Sequence, residues 1–109
     1  MSYVPNRGDM VWLDFDPQAG HEQSGRRLAL VLSPQRYNQL TSLMVCCPLT
    51  TAIKGYPFEV PTSIGGKEGV VLADQVKSVD WRARNAAIKE RVGEDVLLDV
   101  LAKIESILT

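Results

Sequence analysis

"GEDVLLDVLAKIESIL", residues 93 to 108, is the stretch that decides the fold. Leu97, Val100, Leu101, Ile104, Ile107 and Leu108 recur at helical spacing, so they form one apolar stripe of an α-helix. Glu94 and Asp95 stand in its first turn, where the positive end of the helix dipole favours carboxylates. A helix with one apolar stripe must lay it on another layer, and almost everything upstream reads as strand.

Working back from the helix, "AAIKERV" and "SVDWRAR" are short and ambiguous, with strand slightly favoured. "GVVLADQV" (69 to 76) and "PFEV" (57 to 60) read as strands flanking "PTSIGGKEG", whose glycines point to a hairpin loop. "SLMVCCPL" (42 to 49) is a further strand, closed by Pro48 and the Thr50-Thr51 pair. "LALVLS" (28 to 33) is a continuous apolar run of the kind that fills a buried central strand. Pro34 ends it, and "QRYNQLT" reads as a short helix or turn. In "MVWLDF" (10 to 15), Val11, Trp12 and Phe15 favour strand until Asp16-Pro17 stops it. Between these two strands lies "QAGHEQSGR", a polar loop with two glycines and almost nothing to bury. Strands followed by one amphipathic helix predict an α+β, mainly β fold: a small curled sheet or barrel capped by that helix.

At 109 residues, the expectation is a single domain over 1–109 with one modest core. A composition 45% hydrophobic and 23% charged is that of a globular rather than a disordered chain. No apolar run approaches the roughly 18 residues of a membrane span, and "MSYVPNRGD" lacks the plan of a signal peptide. The expected location is the cytoplasm. Cys46 and Cys47 are adjacent, which rules out a disulfide framework. On a strand they would point to opposite faces, one buried and one facing the other way, as structural filler. The net charge of −1 conceals an uneven spread. Residues 21 to 91 hold ten Lys/Arg against six Asp/Glu, whereas residues 93 to 109 hold four Asp/Glu against Lys103. The basic excess permits a polyanion partner on one face.

Several chemistries drop out. His21 is the only histidine and the cysteines are neighbours, so no zinc site with ordinary ligand spacing exists. GxGxxG, Walker A and GxSxG are absent. What remains is a set of polar residues at strand ends: His21, Glu22, Arg26 and Arg27, then Thr50 and Thr51, then Asp74, Gln75 and Lys77, with "WRAR" (81 to 84) adding two arginines beside a tryptophan. Taken singly, each is more often solvated surface than catalyst. Together they meet the demands of cutting RNA through its own 2′-hydroxyl. That reaction needs one group to take the hydroxyl proton, another to protonate the leaving 5′-oxygen, and fixed positive charge on the phosphorane. Arginine suits the last role because its planar fork matches phosphate oxygens in pairs. Aromatic side chains beside basic ones suit the stacking of unpaired bases.

From residue 7 almost to its end, the chain resembles the MazF/PemK family of toxin endoribonucleases. The resemblance is carried by "RGDMVWLDFDPQAGHEQSGRR", "LVLSPQRYNQLT", "CPLTTAIKGYPFEV" and "GVVLADQVKSVDWRAR", in the family's order and spacing. It implies a small SH3-like barrel of the CcdB/PemK kind with a C-terminal helix. It also implies a homodimer that cuts single-stranded RNA at short sequences with no metal or other cofactor, and that a MazE-like antitoxin silences. Arg27 matches the arginine after the G-x-E-Q-x-G loop and Thr50 the threonine that ends the third strand, which form the family's most general catalytic pair. Glu22 matches the loop glutamate. His21 matches a histidine found only in the PemK-type branch, and Asp74 sits where that branch places its proposed base. The expected RNA-binding set is Trp12, Arg26, Lys54, Tyr56, Gln75, Lys77, Trp81, Arg82 and Arg84, with Lys54/Tyr56 and Trp81/Arg82 as exposed aromatic-basic pairs. "KGYPFEV" and "DWRAR" look like the MazF branch, which implies an ACA-containing cut site.

The chain departs from the family pattern twice. Leu28 replaces the proline that usually follows the loop arginine, and Leu72 stands where the PemK branch carries a catalytic arginine. Two other readings stay open at this stage. A gyrase-binding toxin of the CcdB type would share the barrel, though "SILT" lacks the C-terminal residues such toxins use. An inactive homologue that only binds RNA or antitoxin would share the sequence blocks.

Overall fold

The computed structural model describes residues 3–14 and 25–109. The expected site residues His21 and Glu22 therefore lie outside the described residues. In chain order the elements are β1 (Asp9–Asp14), β2 (Arg26–Val31), α1 (Gln35–Thr41), β3 (Leu43–Thr50), β4 (Glu59–Ile64), β5 (Lys67–Leu72), a 3-10 turn (Ala73–Gln75), β6 (Lys77–Asp80), β7 (Ala87–Arg91) and α2 (Glu94–Leu108). The strands form one antiparallel sheet in the order β4-β5-β3-β2-β1-β7, with β6 also on β3.

The long strand β3 makes the sheet curl. One of its edges serves two partners: β6 pairs from Leu43↔Asp80 to Cys46↔Lys77, and β5 pairs at Leu49↔Val71 and Thr50↔Val70. The other edge takes β2, from Ala29↔Pro48 to Val31↔Cys46. The tip of the β4–β5 hairpin comes round to β7, where Gly65 N donates to Glu90 Oε2 at 2.7 Å. The result is a half-barrel with α2 across it.

Two expected boundaries shift. "PTSI" is strand rather than loop, with Pro61 opposite Val70. A proline is tolerated there because β4 is the terminal strand of the sheet and need not donate on its outer edge. The turn is confined to Gly65 and Gly66, at φ 57° and 86°, the left-handed pair that a two-residue hairpin requires. "GVVLADQV" is not one strand either. It must step from the C-terminal half of β3 to the N-terminal half, and the 3-10 turn makes that step, held by Ala73 N donating to Phe58 O at 3.0 Å.

Both faces of the sheet are covered. Met10, Leu30, Cys47, Leu49, Val60 and Val71 form the core under α2, which contributes Val100 at its centre and Val96, Leu97, Leu101 and Ile104 around it. Ile107 and Leu108, counted in the stripe from sequence, are exposed. The opposite face packs Val11, Leu13, Ala29, Val31, Met44, Cys46, Val79 and Trp81. The cysteines do fall on opposite faces, but both are fully buried because neither face is left to solvent. Buried Asn38 on α1 ties this second core together. Its amide donates to Pro5 O and Ser33 O, its Oδ1 accepts from Ser33, and its carbonyl accepts from the Trp81 indole at 2.8 Å. Among the described residues no helix is long and apolar enough to cross a membrane.

Candidate active site

The ends of β1, β2 and β3, the loop after β3 and the starts of β4 and β6 converge on a cleft of about 590 Å³. Seven residues expected from sequence line it together: Arg27, Thr50, Lys54, Tyr56, Gln75, Lys77 and Arg84. Arg27 lies on β2 opposite Leu13, on the same side of the strand as Ala29 and Val31, because side chains alternate across a sheet. It thus extends the second core's face past its apolar edge. Thr50 closes β3, and its Oγ1 accepts from Ala52 N at 3.0 Å. That leaves the hydroxyl proton to donate elsewhere. The backbone behind Thr50 is tightly fitted: a Cβ on Gly69 would stand 2.9 Å from Thr50 O and 2.4 Å from Ile64 Cδ1. Leu28 and Leu72 are both cleft-wall residues, so these two positions give the cleft apolar groups.

Five expected residues are not in the lining. Arg26 points to the other side of β2 and serves the scaffold, pairing with Asp14 at 3.3 Å and donating to Asn85 O. Trp12 is half-buried on β1 with the Lys89 ammonium 5.5 Å from its ring centroid. Asp74 sits exposed in the 3-10 turn, while its neighbour Gln75 reaches the cleft. Trp81 corrects the expectation of an exposed stacking surface: only 5% of it is accessible, since its indole completes the second core and bonds Asn38. Arg82 then covers the Trp81 ring at 4.3 Å and donates to Ser42 Oγ, away from the cleft. Tyr56, 56% exposed, is the aromatic of the pair Lys54/Tyr56 that remains open to a base.

Two cleft residues were missed by sequence reasoning. Asp14 looked like one more polar residue in a loose alternation. In the fold it accepts from Asn85 Nδ2 at 2.8 Å and pairs with Arg26, while its carbonyl accepts from Arg84 Nη1 at 3.1 Å. Glu59 looked like the polar residue of a short strand, yet it is 9% exposed and accepts from Lys54 N and Gly55 N. The available signal was a glycine followed, four residues on, by a carboxylate in an apolar run.

The cleft therefore sets four cations, Arg27, Lys54, Lys77 and Arg84, against two carboxylates that already hold hydrogen-bond donors. Its field favours a polyanion. Cys46 lies close by: burial pushes its thiol up to about 11, although Lys77 and Arg84 pull it the other way. Among the described residues no group of three or more His, Cys, Asp and Glu is placed to hold a metal ion.

Residues 6–108 match the family described as "PemK-like, MazF-like toxin of type II toxin-antitoxin system". The chain belongs to that family. It is 52% identical to the endoribonuclease toxin MazF of Escherichia coli K12 over 106 residues, covering 97% of this chain and 96% of the relative. It also superimposes on MazF of Deinococcus radiodurans with a TM-score of 0.85 and 55% identity, over 98% of each chain. MazF bound to MazE from the same organism matches with a TM-score of 0.85 and 49% identity, over 98% of this chain and 97% of that one. Family membership favours the nuclease reading of the cleft over the gyrase-binding one, and the half-barrel with its C-terminal helix is the fold of these relatives.

Proposed function

We propose that this toxin endoribonuclease cuts single-stranded RNA in the cleft by metal-independent attack of a 2′-hydroxyl on the adjacent phosphorus. The bond from phosphorus to the 5′-oxygen breaks, leaving a 2′,3′-cyclic phosphate and a 5′-hydroxyl. The observation that carries this reading is that Arg27 and Thr50, from different strands, line one cleft with Lys77 and Arg84. Arg27 neutralises charge as it grows on the phosphorane, and the Thr50 hydroxyl donates to a phosphate oxygen and holds the group in line. Asp74 does not line the cleft. Glu22, which precedes Arg27 by a few residues in sequence, is the acidic candidate for proton transfer, with His21 as an auxiliary shuttle. Tyr56 stacks a base beside the scissile phosphate.

The toxin works in the cytoplasm as a homodimer, and a MazE-like antitoxin restrains it. An acidic antitoxin segment would compete with RNA for the cationic cleft. The test is purified protein with a long unstructured RNA in EDTA, followed by mapping of the 5′ ends. Discrete cuts bearing 5′-hydroxyls are expected, slowed by added antitoxin. Cleavage that appears only with Mg²⁺, or leaves 5′-phosphates, would contradict the mechanism. So would an antitoxin that binds without slowing the cut.

A further inference from the structure

We propose that Glu59 is the positioning residue of the substrate cleft, fixing the Lys54–Tyr56 loop in its RNA-binding shape; this rests on the endoribonuclease reading above. The carboxylate sits at the first position of β4 and is nearly closed to solvent, 9% exposed. Each of its oxygens takes one backbone N–H of the preceding loop: Oε2 accepts from Lys54 N at 3.0 Å and Oε1 from Gly55 N at 2.8 Å. The Glu59 amide donates back to Tyr56 O at 3.1 Å, so the turn is closed from both sides. Two successive N–H groups converging on one anion form a backbone nest. Gly55 makes that nest possible by its backbone rather than its size: its φ is +87°, and a Cβ would meet nothing within 4 Å.

The cost of burying a carboxylate is large unless hydrogen bonds replace its water. Here it is offset by bonds to a segment that adds almost nothing to either core, since residues 51 to 57 are all exposed. What those bonds do achieve is to hold Lys54 and Tyr56 at the wall of the cleft. Tyr56 and Glu59 also border a second cavity of about 640 Å³ beside β4 and β5, so the loop is a partition that an unanchored chain could not maintain. Preorganisation lowers the ordering cost of binding, and its loss is read in affinity before turnover.

Glu59→Gln is the test, because it keeps the side chain's volume but turns an amide NH₂ toward one of the two N–H donors. The expected result is a KM for RNA raised about tenfold, the scale of one charged hydrogen bond, with kcat changed far less. Thermal unfolding should stay near wild type while hydrogen exchange at the Lys54 and Gly55 amides accelerates. In the Lys54→Ala/Tyr56→Ala background, Glu59→Gln should add little. Affinity for a 2′-O-methyl copy of the same RNA, which cannot be cut, should fall by the same factor. That binding assay separates this proposal from the reaction: a wild type that binds the copy through Glu59 yet cuts no RNA overturns the nuclease reading alone. Unchanged KM and affinity, an effect fully additive with the double variant, or a loss of activity that tracks a loss of stability would each overturn the role of Glu59.

Discussion

At the scale of single residues, similar residue types end in opposite roles, set by strand alternation in one case and by a buried partner in another. Arg26 and Arg27 are neighbours, but the first pairs with Asp14 and the second lines the cleft. Trp81 and Tyr56 each have a basic residue within two positions in sequence. Only Tyr56 stays open, since the Trp81 indole has a buried partner in the Asn38 carbonyl. Trp81→Ala is therefore a stability variant. It should cost about 3–5 kcal/mol in urea unfolding, as emptying a large buried site does. A variant that unfolds at the wild-type midpoint but has lost RNA affinity would restore Trp81 to the binding surface.

At the scale of elements, β3 holds the molecule together and carries a pH signature. It presents Cys46 to one core and Cys47 to the other. Burial raises both thiols from about 9, Cys46 to about 11 and Cys47 to about 12, with the neighbouring Cys46 and Asp74 adding to the rise at Cys47. Above about pH 9 the unfolded chain loses thiol protons that the folded chain keeps. The unfolded state then binds fewer protons, and stability falls as pH rises. The expected outcome is a decline in unfolding free energy from pH 9 through the range of 11 to 12, shallower in a Cys46→Ala/Cys47→Ala variant. Identical slopes would show that the thiols are not responsible. Strands such as β2 and β3 were legible in the sequence because they are short apolar runs ended by proline or polar residues, whereas the mostly polar β6 and β7 were ambiguous. Two features were not: the break at Leu72 and the strand through Pro61. The first follows from β5 and β6 sharing one edge of β3, the second from β4 being the terminal strand beside β5; both are properties of pairing rather than of local composition.

At the scale of the whole molecule, the cleft exists because a curled sheet brings the ends of strands distant in sequence to one side. Arg27, Thr50 and Lys77 were legible as candidates by residue type and by resemblance, and they do line one cleft. Asp14 and Glu59 were not, because their importance lies in partners that the folded chain brings to them, the Asn85 and Arg84 side chains for Asp14 and the Lys54 and Gly55 amides for Glu59. Arg27 and Thr50 should carry the chemistry, with His21 auxiliary. The most direct measurement is the cleavage rate at saturating RNA for Arg27→Ala beside Thr50→Ala and His21→Ala, with folding checked by circular dichroism. Arg27→Ala should be slower by about 10²–10³, the usual effect of removing a fixed donor to developing negative charge, and His21→Ala should lose less. A folded Arg27→Ala protein that keeps most of its rate, beside a His21→Ala protein that keeps none, would contradict the assignment of the reaction to Arg27.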